Sequence, residues 1–490
     1  MAIFGIQLAF SMIVASIISK LGGTLSLARY LLCNTGLIRY LHPTDTELRE
    51  MAGVPKDMSG GGKGKGKKGN KDDYKSPNTF HVPKNLDITL ETVKVTPVEV
   101  IHLRFYSEYH WVLDYTVYAT LLYIVTEIYY AFFNVPQDEM NLSVYWCFLS
   151  LGLCLKVLCS VTAVYFRGDE VMGERAMCMV MGGIYLLVAM IILIIDESNL
   201  EVGVDPAYKS FHDHASAFLQ AQGLPTAGPA SKLLIKFTAA VAGGMLGVLF
   251  TFPGIRMSRM FYDSLKYCEG RPFIKLLLNL SFVSPLIVVA MWIRPIGRDL
   301  FTNSFGRSPA LMTEEQFETF RLVLVVLMVV LRVAMMPYFL QAFLNIAQDR
   351  LTELHKEAGR ILNIDLQKKV AGVYYYLCIV ALQYITPILI VLHCTFLYKT
   401  LGGGGSWNGS VKAADFGANG TSPIFSSVMP DTDDVKYAAE HFSVALSSLK
   451  VVFSPVVFRG IFGFLSWWCN FLLLASSAVG AGYLSYLSHA

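Results

Sequence analysis

The chain has 490 residues, of which 54% are hydrophobic and only 16% charged, too little charge for an ordinary soluble protein of this length. A net charge of +3 gives no reason to expect nucleic acid as a partner. About nine apolar stretches are each long enough to cross a hydrocarbon core of about 30 Å as a helix. They are 2–18, 111–133, 144–165, 177–195, 233–252, 274–293, 322–340, 373–397 and 456–487. Lipid offers no partner to exposed backbone groups, and runs this long do not suit the strands of a barrel. The expected fold class is therefore all-α: a polytopic helical membrane bundle of about nine transmembrane helices with a cytoplasmic amphipathic helix.

The first segment, placed at 1–21, carries no charge in its first ten residues, and Lys20 and Arg29 follow its apolar run. That order suits a retained, signal-anchor-like helix with Met1 outside. A cytoplasmic region at 22–108 follows. Within it, 24–41 reads as an amphipathic segment along the interface, and Thr44 with Glu47 forms a capping box that starts a short helix. Lys63, Lys65, Lys67, Lys68, Lys71 and Lys75 alternate with glycine in a stretch too poor in apolar residues to fold. The stretch 63–75 is expected to be a disordered tether, and near a cytoplasmic leaflet it would attract anionic lipid.

Helices two to seven are placed within 109–340. The loop after helix five is basic (Arg256, Arg259, Lys266, Arg271), as is the connection after helix seven, whereas the loop after helix four holds Asp196, Glu197, Glu201 and Asp205. These contrasts put the lysine-rich loops in the cytosol. Arg294, Arg298 and Arg307 run against that assignment, because their loop falls outside. Residues 341–369 carry apolar positions at three- and four-residue spacing and are expected to form the cytoplasmic amphipathic helix. Thr313 and Gln316 form a further capping box, which starts helix seven before its apolar run. Helix eight is placed at 370–398, an outer loop at 399–441 and the last helix at 442–490. The sequons at Asn408 and Asn419 lie in that outer loop and are expected to carry glycans.

No Walker loop, dinucleotide fingerprint, HExxH or GxSxG occurs, and no nucleophile stands with a base, so the chain reads as a non-enzyme without a cofactor or metal. His212-Asp213-His214 reads as part of a solvated loop. Most of the nine cysteines fall in apolar segments, as packing residues. The functional candidates are ionisable or polar groups inside those segments: Asp114, Glu127, Lys156, Arg321, Arg332, Gln383 and His393. A charge at the bilayer centre costs at least about 2.5 kcal/mol, so each should face the bundle, a partner or water. Glu127 and Lys156 are expected to pair, because their helices are adjacent; Arg321 and Arg332, three turns apart, should share a face. Ala239, Gly243 and Gly247 make a small-residue face for close helix packing. Pro285 and Pro387 should kink or break helices six and eight.

Several motifs resemble one family. Ser26-Leu27-Ala28-Arg29-Tyr30-Leu31-Leu32-Cys33-Asn34, Gly173-Glu174-Arg175, Thr251-Phe252-Pro253-Gly254-Ile255-Arg256 and Leu340-Gln341-Ala342-Phe343-Leu344 are similar to those of the transmembrane protein 161 family. Glu357-Ala358-Gly359-Arg360, Leu382-Gln383-Tyr384 with Pro387, Lys399-Thr400-Leu401-Gly402 and Phe458-Arg459-Gly460 before Trp467-Trp468 extend the likeness in order along the chain. The resemblance is closer to the B-type member, and two departures mark a divergent relative: Asn34-Thr35-Gly36 is no sequon, and the Gly/Lys tether is distinctive.

The resemblance implies a multi-pass protein that modulates potassium and calcium currents, with links to cardiac rhythm, excitability and neural development. A sister branch is associated with resistance to oxidative stress. It implies no catalytic residues. The expected partners are the lipid bilayer and ion channels or pumps, and the expected location is the plasma membrane, with the endoplasmic reticulum as the alternative. A direct channel or transporter using the intramembrane charges is the second reading.

Overall fold

The structure, a computed structural model, describes residues 12–17, 20, 26–52, 81–82, 90–132, 141–167, 172–195, 197–221, 230–302, 311–356, 361–402 and 452–489. Its main helices are Tyr106–Phe132 (α1), Ser143–Arg167 (α2), Met172–Ile194 (α3), Val204–Ala221 (α4), Lys232–Tyr267 (α5), Pro272–Ala290 (α6), Glu314–Lys356 (α7), Asn363–Tyr375 (α8), Leu377–Leu401 (α9) and Pro455–His489 (α10). Seven spans among the described residues are long and apolar enough to cross a membrane: α2, α3, α5, α6, α7, α8 continued into α9, and α10. The protein is thus a multi-pass membrane protein, with seven such spans where nine were expected. Most of the first segment lies outside the described residues, and α1, although 27 residues long, is diluted by Asp114, Glu127, threonines and tyrosines. It nevertheless packs against α2 and α9.

The centre of the bundle is α9. Every residue from Leu377 to Lys399 is buried, because the helix is apolar on all sides and α1, α2, α5, α7 and α10 surround it. The outer helices bury only one side. On α3, Val180, Ile184, Leu187 and Ile191 are exposed along a single stripe. On α5 a small-residue face allows close approach. A Cβ added at Gly247 would lie 2.5 Å from Tyr185 of α3, and one at Gly243 would lie 3.1 Å from Trp468 of α10. Trp468 Nε1 donates to the Gly243 carbonyl at 3.0 Å. Ala239, the third member of the expected face, is only half-buried; Ala240 is fully buried.

Three local expectations change. The stretch 24–41 is not an interfacial amphipathic helix. It forms one helical turn at Leu27–Arg29, a π-helical turn at Tyr30–Asn34 and a strand at Ile38–Tyr40 that pairs antiparallel with Thr92–Lys94. Ala28, Leu31, Leu32 and Leu37 are buried against the bundle, so its apolar side faces protein. The expected separate helix at 341–369 is also replaced: α7 continues unbroken to Lys356 and buries Ala342, Leu344, Ala347 and Leu351. Its apolar stripe extends that of the spanning part, so nothing stops the helix at 340. Finally, the region after α3 contains α4, on which His212, Asp213 and His214 sit. The turn into α4 is made by Gly203 at φ +80°, a left-handed conformation that favours glycine.

Both capping boxes form. Glu47 Oε2 accepts from Thr44 N at 2.9 Å, and Gln316 Oε1 accepts from Thr313 N at 3.1 Å. The helices that contain Pro285 and Pro387 are bent by no break: α6 and α9 each continue through their proline.

Candidate functional site

At one end of the bundle, two connections and the start of α10 meet in a network of charges. The link from α3 to α4 lies against the link from α6 to α7: Glu201 N donates to the Trp292 carbonyl at 3.1 Å, and Arg294 N to the Asn199 carbonyl at 2.9 Å. This brings Glu201 to 3.0 Å from Arg298 and 3.4 Å from Arg321 of α7. Arg298 also reaches Glu318 at 3.2 Å, and Glu318 pairs in turn with Arg459 at the start of α10. Arg321 donates to Tyr398 Oη of α9 at 3.3 Å, and its guanidinium lies 4.0 Å from the centre of the Trp292 ring. These groups line a cavity of about 460 Å³ together with Glu197, Ser198 and Arg294. Four arginines and three glutamates face it, and carboxylates of the chain already engage Arg298, Arg321 and Arg459. Of the arginines that ran against the loop-charge rule, Arg298 pairs with Glu201 of the acidic loop, Arg294 lies 3.7 Å from Asp299 of its own loop, and Arg307 lies outside the described residues.

Beside this network, Asp205 lies 2.8 Å from Lys236 and 3.1 Å from Lys232. Burial opposes its ionisation, but hydrogen bonds and charge from the two lysines prevail and hold its carboxyl below the usual range.

Deeper in the bundle the polar groups close separately. Arg332 is 2% exposed, and its Nε donates to the Ser281 carbonyl at 3.2 Å. Pro285 has no N–H to offer the carbonyl four residues earlier, so the Ser281 carbonyl, which also accepts from Ser284 Oγ at 2.8 Å, can accept from another helix. Tyr384 Oη of α9 donates to the Arg332 carbonyl at 2.6 Å. Glu127 pairs with Lys399 at 2.5 Å, not with Lys156 as expected. Arg321 and Arg332 share α7 but not their surroundings.

Asp114 is buried and accepts from Ser26 Oγ at 3.1 Å and Ala28 N at 3.3 Å, with His110 Nδ1 at 3.2 Å. It fastens the early motif to α1. Gln383 and His393 lie on the buried α9; His393 Nδ1 contacts the Leu389 carbonyl at 2.8 Å. Gln383 Oε1 and His393 Nε2 are buried with no hydrogen-bond partner among the described residues. Asn408 and Asn419 lie outside the described residues. Among the described residues no group of three His, Cys, Asp or Glu side chains is placed to hold a metal ion.

Residues 2–488 match the family described as predicted transmembrane protein 161AB. The chain belongs to this family. The description covers A and B members alike, and the match spans the motifs that carry the resemblance, from Ser26 to Trp468. No solved structure matches the chain.

The sequence reading singled out Arg321 and Arg332 but missed Lys399, Glu318 and Arg459 as charges of the site. Lys399 was read as part of a motif, and Arg459 likewise. The available signal was position: Glu318 and Arg321 lie three residues apart on one helix face, beside the unexplained arginines of the preceding loop.

Proposed function

We propose that this multi-pass protein is a non-enzymatic regulator of ion currents, acting on potassium and calcium conductances through another membrane protein and so on membrane excitability. The family resemblance supplies the direction of this reading. The observation that carries it is that the deep charges join helices of the chain: Glu127 pairs with Lys399, and Arg332 donates through Nε to the carbonyl released by Pro285, while its buried Nη2 has no hydrogen-bond partner among the described residues. A permeation path needs polar groups that bind and release ions in succession, whereas these groups hold helices of the chain together. On this reading the protein is a glycoprotein of the plasma membrane. Whole-cell recording in an excitable cell, with the chain depleted and then restored at equal channel expression, tests it. The proposal expects potassium and calcium current densities to shift on depletion and return on restoration; unchanged currents would contradict it.

A direct channel or transporter is the second reading. It is favoured by the cavity at the Glu201–Arg321 network, one of whose lining residues, Arg321, lies three turns before Arg332 on α7.

A further inference from the structure

Lys156 is a charge deep in a spanning segment that has no polar partner among the described residues and lies on the exposed side of its helix. The apolar span of α2 runs from Ser143 to Val164. At about 1.5 Å per residue, Lys156 lies about 20 Å from its first residue and about 12 Å from its last. A lysine side chain reaches about 6 Å, and helix geometry directs it towards the N-terminal, more distant end. Snorkelling therefore does not bring its ammonium to the headgroups. Left in hydrocarbon, the charge costs about 2.5–3.5 kcal/mol or more.

The surface around it is shaped for a helix. Tyr145, Phe148, Leu149, Gly152, Lys156, Cys159 and Ser160 are all exposed and, at helical phase, fall on one stripe of α2. Gly152 and Ser160 stand one turn to either side of the lysine, and a Cβ added at Gly152 would meet nothing within 4 Å. Small neighbours leave the ammonium uncovered and let another backbone approach closely. We infer that this stripe of α2 binds a transmembrane helix of another protein, one that carries an aspartate or glutamate near mid-membrane to pair with Lys156.

Charge excludes the nearer alternatives. A second copy would have to present a free carboxylate at that depth, but of the two acidic residues deep in the described spanning region Asp114 is buried against Ser26 and Ala28, and Glu127 is paired with Lys399. Two copies meeting through this stripe would oppose lysine to lysine. An anionic headgroup lies beyond the reach of the side chain. The inference rests on the regulatory reading for its biological purpose, since it supplies that reading with a partner of defined chemistry.

The test uses the purified full chain in phosphatidylcholine vesicles with synthetic Leu/Ala helices of about 20 residues, one with a central Asp and one with a central Lys, read by energy transfer. The Asp helix is expected to associate about tenfold more strongly than the Lys helix. That preference should vanish in Lys156→Met and reverse in Lys156→Glu; the exposed side chain makes both variants safe for folding. Equal association of the two helices, or an Asp preference that survives in Lys156→Met, would overturn the inference. So would self-association lost in Lys156→Met, which would identify a second copy, or association that appears only with anionic lipid. The assay reads helix pairing and not current, so it can fail while the regulatory reading stands, and the reverse.

Discussion

Arg332 Nε donates to the carbonyl of Ser281 at 3.2 Å, and that carbonyl is the one that Pro285 leaves without its helical donor. A proline in one helix thus creates the acceptor that holds a buried arginine on another. The guanidinium joins α6 to α7, while Tyr384 fixes the Arg332 backbone to α9. Removing Arg332 leaves a void and takes one of two donors from the Ser281 carbonyl, which keeps the Ser284 hydroxyl at 2.8 Å, so Arg332→Ala should cost about 2–4 kcal/mol, mostly through lost packing. In a Pro285→Ala background the new N–H can satisfy Ser281, so the loss should shrink by about 1 kcal/mol. Unfolding in detergent of the two single variants and the double variant measures this coupling. Strictly additive losses would separate the proline from the arginine.

Glu127 and Lys399 should behave as a partly buried pair. Glu127→Gln and Lys399→Met are each expected to destabilise by about 3 kcal/mol, because each leaves a charge without its partner, and the double variant should lose less than the sum. Lys156→Met should be additive with Glu127→Gln. The same unfolding assay reads all five proteins.

The contact of α3 with α5 depends on the absence of a side chain at Gly247. Gly247→Ala places a methyl against Tyr185 of α3 and should destabilise by about 1–3 kcal/mol. Gly152→Ala, where the added methyl meets nothing, should leave the melting temperature unchanged. Equal effects at the two sites would argue against this packing.

Asp205 gives the bundle an acid-sensitive contact. Its folded pKa lies below the unfolded value, so its stabilisation is full above about pH 4 and lost as pH falls through the lower folded value. Asp205→Asn should remove that portion of the acid dependence and leave the profile above it parallel to that of the native chain. Melting temperatures between pH 3 and pH 7 check the sign.

Long apolar runs announced the spanning helices because lipid admits few other structures, and local capping chemistry located the starts at Thr44 and Thr313. Phase was harder to read. The sequence shows that Glu127 and Lys156 lie on neighbouring helices, but which way each points depends on where α9 sits, and α9 is apolar all round and gives no direction. For the same reason Lys399, at the end of α9, did not stand out as an intramembrane partner. The α4 helix was missed because its buried side uses alanines, Ala207 and Ala215, whose weak hydropathy resembles a loop. The end of α7 was misplaced because a change from lipid to protein surroundings leaves helical periodicity intact across residue 340.

The proposed regulator acts on currents carried by another protein and conducts none itself. Flux of potassium and calcium through vesicles that contain only the purified chain tests it most directly. The account predicts flux equal to that of protein-free vesicles, with the cavity at Arg321 open or altered by Arg321→Gln. Flux above that level, lowered by Arg321→Gln or Arg332→Met at equal incorporation, would contradict it.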